Sequence, residues 1–175
     1  MTAQIRDKIL YKGNQYYLAN EPLRPYLEAM EISYPGTSTA DYRGYVASWE
    51  VRDEKLYLIE LLIPGFTPEM GREGDLFQGE ERTFSEWFTG KLRIPHGELL
   101  EYVHNGYGSL YEKELFLRFL NGELIGESEK DNRSEFDERI ALDKQYKVER
   151  ENRKVVHRIW RFFRFRKFRR VDVAE

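Results

Sequence analysis

The sequence predicts an α+β fold: a mainly antiparallel β-sheet body followed by a C-terminal helix with a basic-aromatic end. Three observations predict it. Segments rich in aromatic and β-branched residues recur between short polar turns, the texture of a pleated, half-buried surface, and Tyr and Phe alone number 12 and 11. Asn121-Gly122 lies between two strand-like runs and is the strongest short hairpin signal, because both central residues of a type I′ turn need positive φ. No proline follows Pro95 and no glycine follows Gly126, and from Ser134 onward Glu, Lys, Arg, Leu and Ala dominate, which favours helix. The expected division is a sheet-rich acidic domain over 1–130 and a helical segment with a basic tail over 131–175.

Taken in order, 8–11 and 15–19 read as strands punctuated by Lys12-Gly13-Asn14. Residues 22–32 read as a short helix or an irregular crossing segment, interrupted by Pro25. A strand over 43–51, with Tyr45, Ala47 and Trp49 on one face, and a strand over 56–63, with Leu56, Leu58, Glu60 and Leu62 on one face, flank the polar turn Arg52-Asp53-Glu54-Lys55 and form a hairpin. Thr83 to Phe88 fits one helical turn or a short strand. Lys91 to Ile94 reads as a strand ending at Pro95, and His96 to His104 as a short helix, since Leu99, Leu100 and Val103 recur at helical spacing. Residues 115–120 and 123–126 form the Asn-Gly hairpin. The C-terminal helix is expected from Ser134, with Asp137 completing a loose capping box, and is expected to fray near Phe165. The alternative there is a strand over 162–171, where aromatic and basic residues roughly alternate.

The net charge of −3 hides a split. Residues 153–175 hold nine basic and two acidic residues, while 1–152 hold 19 basic and 29 acidic, a net of −10. Much of that acid lies in the segment 64–82, rich in glycine and proline, which carries Glu69, Glu73, Asp75, Glu80 and Glu81. A connection this long without structure of its own is functional or simply solvated. The tail permits three readings. Its apolar residues Val155 to Phe163 pack on the acidic body in cis; or Arg158, Trp160, Arg161, Arg164, Arg166, Lys167, Arg169 and Arg170 grip nucleic acid, with Arg on phosphates and aromatics on bases; or the same residues lie on an anionic membrane.

The chain has no cysteine, so thiolate catalysis, disulfides and Cys-based metal sites are excluded. No apolar run approaches the roughly 20 residues that span a bilayer, and residues 1–10 do not read as a signal peptide. His96 and His104, with Glu98, Glu101, Tyr102, Tyr107 and Tyr111 nearby, offer a general acid–base pair of the kind that cleaves RNA. Their spacing is not the four-residue, glutamate-containing pattern of helical zinc sites. Gly106-Tyr107-Gly108-Ser109 lacks the lysine and spacing of a phosphate-binding loop. Tyr42, Tyr45 and Trp49 cluster in sequence, and such residues serve as core or as binding anchors.

The phrases Ser38-Thr39-Ala40, Tyr42-Arg43-Gly44-Tyr45-Val46-Ala47-Ser48-Trp49-Glu50-Val51 and Leu56-Tyr57-Leu58-Ile59-Glu60-Leu61, then Trp87-Phe88-Thr89-Gly90-Lys91-Leu92-Arg93-Ile94-Pro95 and Tyr102-Val103-His104 to Gly106-Tyr107-Gly108-Ser109, resemble a family of small uncharacterised bacterial proteins. The resemblance spans about residues 8–127, leaves out the tail and assigns no functional residue. In composition, small acidic aromatic-rich bacterial proteins of this kind are similar to immunity proteins that neutralise toxins.

These readings point to a non-enzymatic, cytoplasmic bacterial binding protein, an immunity-type inhibitor that masks a basic protein partner. It is expected to need no cofactor and no metal. A carboxylate-rich surface steers association with a basic one. The expected contacts are Glu69, Glu73, Asp75, Glu80 and Glu81, with Tyr42 and Tyr107 as anchors. The alternatives are an adaptor that reaches nucleic acid, or the inner membrane surface as a peripheral protein, through its tail, and a small nuclease using His96 and His104.

Overall fold

The computed structural model describes residues 2–64 and 81–166, of which 160–166 are described as helix backbone. The chain divides into two compact units, Met1–Arg133 and Ser134–Glu175. The first contains β1 (Lys8–Tyr11), β2 (Asn14–Tyr17), α1 (Arg24–Ala29), β3 (Val46–Arg52), β4 (Lys55–Leu62), β5 (Thr83–Phe84), β6 (Gly90–Glu101), β7 (Leu110–Leu120) and β8 (Glu123–Asp131); α2 (Arg133–Arg166) makes up the described part of the second. The fold is α+β, a mixed and mostly antiparallel eight-stranded sheet followed by a C-terminal helix.

The strand order is β2-β1-β3-β4-β8-β7-β6, with β5 added to β4, and β1 with β3 is the parallel pair. The sheet curls until its ends meet. Just past β2, the Ala19 amide donates to the Arg93 carbonyl of β6 at 2.8 Å. The Asn20 side chain then donates to the Lys91 carbonyl at 2.9 Å and accepts from the Arg93 amide at 3.0 Å. One side-chain amide thus does the work of a strand residue. The concave face holds Ile9, Trp49, Leu56, Leu92, Ile94 and Leu117, all fully buried, with Leu18 and Leu23 beside them. Burying each such side chain contributes about 1.5–3 kcal/mol relative to exposure.

The hairpins follow their turn chemistry. Asn121 and Gly122 have φ of 50° and 78°, and Asp53 and Glu54 have 50° and 60°, the positive values a two-residue β-turn needs. Tyr45, Ala47 and Trp49 face the core, as their alternation predicts. On β4 the alternation fails partway. Leu58 pairs with Trp49 but Glu60 pairs with Ser48, so Ile59 is the extra residue of a β-bulge. Leu56 and Leu58 point inward, Leu61 and Ile63 take over beyond the bulge, and Leu62 is left 58% exposed.

Four further readings are corrected. Pro95 does not end its strand: β6 runs through it to Glu101, because β6 stands at the end of the strand order, where a missing amide is tolerated. The helix expected over 96–104 is therefore absent. The register is irregular between His96 and Leu99, and again between Leu99 and Glu101, so this stretch does not keep the strict alternation of a regular strand. The start of α2 is not capped at Ser134; the Asp131 carboxylate accepts from the Arg133 amide at 2.8 Å, one turn earlier. At its other end α2 is helical through Arg166, so the strand alternative fails for 162–166. Its continuation over 167–171, like the cluster Lys167, Arg169 and Arg170, lies outside the described residues.

Candidate functional site

A second β-bulge builds the most distinctive surface of the first unit. On the β7–β8 pair, Phe119 opposes Leu124 and Leu117 opposes Glu127, which leaves an extra residue at Ile125. Residues directly opposite each other share a face, so the bulge carries Glu127 onto the core side of the sheet, beside buried Leu117. β8 touches β4 through the single pair Lys55–Glu123 and then diverges past the β1–β2 and β3–β4 turns. The divergence opens a notch of about 600 Å³. Its apolar floor is Val51, Leu124 and Ile125, the last 58% exposed. Its rim carries Asp53 and Glu54 from the β3–β4 turn and Glu127 from β8.

Glu127 is held in place. It accepts from the Tyr11 hydroxyl, and both its oxygens lie 2.9 Å from the Lys12 ammonium. These donors hold its carboxyl below the ordinary carboxylate value, Tyr11 first and Lys12 second. The Lys12 ammonium is raised in turn by Glu127. The notch thus presents three carboxylates and one ammonium above an apolar floor. That arrangement suits a cationic side chain with an aliphatic stem, since Lys and Arg lay their stems on apolar surface and keep their heads among polar groups.

A second cluster lies where the segments 4–7, 21–24, 42–49 and 105–109 converge. The Tyr42 and Tyr107 hydroxyls donate to the same Glu21 oxygen, Oε1, at 2.8 and 3.0 Å. Arg43 lies beneath them. Its Nη2 is 3.0 Å from Asp7 Oδ1 and 2.9 Å from the Ile5 carbonyl, its Nε is 3.8 Å from Glu21 Oε1, and its guanidinium stacks 4.8 Å from the Tyr45 ring centroid. Asp7 is fully buried and also accepts from the Ala47 amide at 3.1 Å and the Trp49 indole at 3.2 Å. Burial raises the Asp7 carboxyl above its ordinary value against the pull of Arg43. Burial likewise pushes the Tyr45 and Tyr107 hydroxyls well above theirs. The two sequence phrases around Tyr42–Trp49 and Tyr102–Ser109 meet here.

The structure distributes the sequence-selected residues as follows. Tyr42 and Tyr107 come together at Glu21, Tyr42 at the surface and Tyr107 half-buried. Glu81 is exposed just before β5, while Glu69, Glu73, Asp75 and Glu80 lie outside the described residues. Arg158 is exposed on α2; the side chains of Trp160, Arg161, Arg164 and Arg166 lie outside the described residues. The two histidines have separate partners. His96 Nε2 is 3.2 Å from Glu129 Oε2, without the alignment of a hydrogen bond, and His104 Nδ1 is 2.9 Å from the Tyr102 hydroxyl. The notch residues Asp53, Glu54 and Glu127 were not selected from sequence. The one available signal was two adjacent acids in a hairpin turn, which reads equally as solvated punctuation. Among the described residues no group of three or more His, Asp or Glu is placed to hold a metal ion.

The chain matches no protein-family model, and no curated protein or solved structure shows significant similarity to it.

Proposed function

We propose that this chain is a non-enzymatic binding protein that masks a basic surface of another protein, in the manner of a toxin-immunity inhibitor. The observation that carries the reading is the acid-rimmed notch between the β3–β4 turn and β8. An arginine or lysine of the partner enters with its stem on Val51, Leu124 and Ile125 and its cationic head among Asp53, Glu54 and Glu127. The net −10 of residues 1–152 supplies long-range steering toward such a partner. The resemblance of residues 8–127 to small bacterial proteins, and the compositional similarity to immunity proteins, give the reading its class. Tyr42, held by Glu21, is the rigid aromatic anchor at a second contact, and Tyr107 positions it from behind.

The test is affinity capture from nuclease-treated lysate of the native host with tagged full-length protein, at low and moderate salt. The expected result is one stoichiometric protein with a basic surface, released by salt. Its binding falls by at least about tenfold in the Asp53→Lys/Glu54→Lys variant, which places like charges against it. Capture of no protein at low salt, or equal capture by the variant, overturns the reading.

A further inference from the structure

The 34 residues of α2 change character along their length. The first 20, 133–152, mix signs and brace themselves along the helix: Lys147 pairs with Asp143 at 2.8 Å, and Arg153 beyond them reaches back to Glu149 at 3.9 Å. After Glu151 no acidic residue occurs until Asp172. Residues 153–166 carry five arginines and one lysine on backbone that is helical to Arg166. At about 100° per residue, positions 155, 156, 159, 160, 162 and 163 fall within an arc of about 160°. They are Val, Val, Ile, Trp, Phe and Phe. Positions 153, 154, 157, 158, 161 and 164, which are Arg, Lys, His, Arg, Arg and Arg, fill the opposite arc. Phe165 and Arg166, at the end, are the exceptions. Within the part whose side chains are described, Val155, Val156 and Ile159 are each half exposed, and Arg153, Lys154, His157 and Arg158 are exposed around them.

We infer that residues 153–166 form a membrane-surface helix that lies in the headgroup region of an anionic bilayer. Charge complementarity selects the occupant. A polar face with arginine and lysine and no acidic residue matches anionic headgroups, and an aliphatic and aromatic arc on the other side enters the acyl boundary. Duplex nucleic acid would use the cations and leave the aliphatic residues Val155, Val156 and Ile159 in water. No helix among the described residues is long and apolar enough to cross a membrane, and a helix with this arc lies along the surface. The helix face and the notch belong to different units of the chain, so either proposal can fail alone.

The experiment is flotation of the full-length chain with phosphatidylcholine vesicles, plain or containing about one-third phosphatidylserine. The expected result is co-flotation with the anionic vesicles alone, weakened by salt. It should be accompanied by a blue shift of tryptophan emission that disappears in Trp160→Phe. The Val155→Asp/Ile159→Asp variant should lower the bound fraction by about tenfold or more. The Arg153→Glu/Arg158→Glu variant should do the same. All four substitutions sit at exposed positions, and circular dichroism of each variant checks that helix content is unchanged. No flotation of the parent chain overturns the inference. So does equal flotation by the Val155→Asp/Ile159→Asp variant with the fold intact, which would reduce the contact to charge alone. Retention on duplex nucleic acid without flotation also overturns it.

Discussion

The hydroxyls of Tyr42 and Tyr107, which are 65 positions apart, donate to one and the same oxygen of Glu21, at 2.8 and 3.0 Å. That convergence ties the loop before β3 to the loop between β6 and β7, and both to the segment entering α1. Hydrogen bonds to a charged acceptor are worth about 1.5–3 kcal/mol when sheltered and less at the surface. Tyr107→Phe, at the half-buried position, is therefore expected to destabilise by about 1–2 kcal/mol and Tyr42→Phe by under about 1 kcal/mol. Because the two share an acceptor, the double variant should depart from additivity by about 0.5 kcal/mol or more. Denaturant unfolding of the three variants measures all of this.

Beneath that pair, Arg43 compensates Asp7 in a site closed to water. Removing one member of a buried ion pair costs about 3–5 kcal/mol because the other remains charged and buried. Arg43→Met should fall in that range. Asp7→Asn should cost less, because Glu21 remains within 3.8 Å of the guanidinium. The Asp7 carboxyl is already raised above its ordinary value by burial, and loss of Arg43 raises it further. A raised carboxyl favours the fold below its unfolded value near 3.8, and that contribution is lost as pH rises through the folded value. The deficit of Arg43→Met is accordingly expected to shrink as the pH is lowered from 7 toward about 4. Thermal melts of parent and variant across that range test it.

Alkali should act through the tyrosines. Burial raises Tyr45 and Tyr107 well above the ordinary value of 10.0. Above that value the unfolded chain releases phenolic protons that the folded chain keeps. The unfolded state then binds fewer protons, and stability falls as pH rises. The contribution is fully present below pH 10 and lost above it. Ultraviolet titration should show late ionisation of Tyr45 and Tyr107, together with unfolding. Ionisation of all twelve tyrosines in one early step would contradict the buried placement.

Two turn glycines with nearly equal φ should respond differently to alanine. Gly13 and Gly122 have φ of 77° and 78°. A Cβ at Gly13 meets nothing within 4 Å, whereas one at Gly122 would stand 2.7 Å from the Ser85 carbonyl oxygen. Gly13→Ala is expected to cost about 1 kcal/mol, the strain of the left-handed backbone alone. Gly122→Ala should cost at least about 1 kcal/mol more, since backbone has to move. The difference between their unfolding midpoints isolates the contact.

The sequence by itself determined the α+β class, the β3–β4 and β7–β8 hairpins, the inward face of Tyr45, Ala47 and Trp49 and the long C-terminal helix. Those features rest on local rules: the period of 2, positive φ in turns and helix propensity all act between near neighbours. Only the tertiary structure decided the bulges at Ile59 and Ile125, the passage of β6 through Pro95 and the meeting of Tyr42 with Tyr107 at Glu21. A bulge is set by the partner strand's register, and a proline in a strand is tolerated or not according to which edge it faces. Glu127 shows the consequence. By alternation alone it is one more surface acid. A single extra residue two positions earlier carries it to the core side of the sheet, where Tyr11 and Lys12 hold it over an apolar floor.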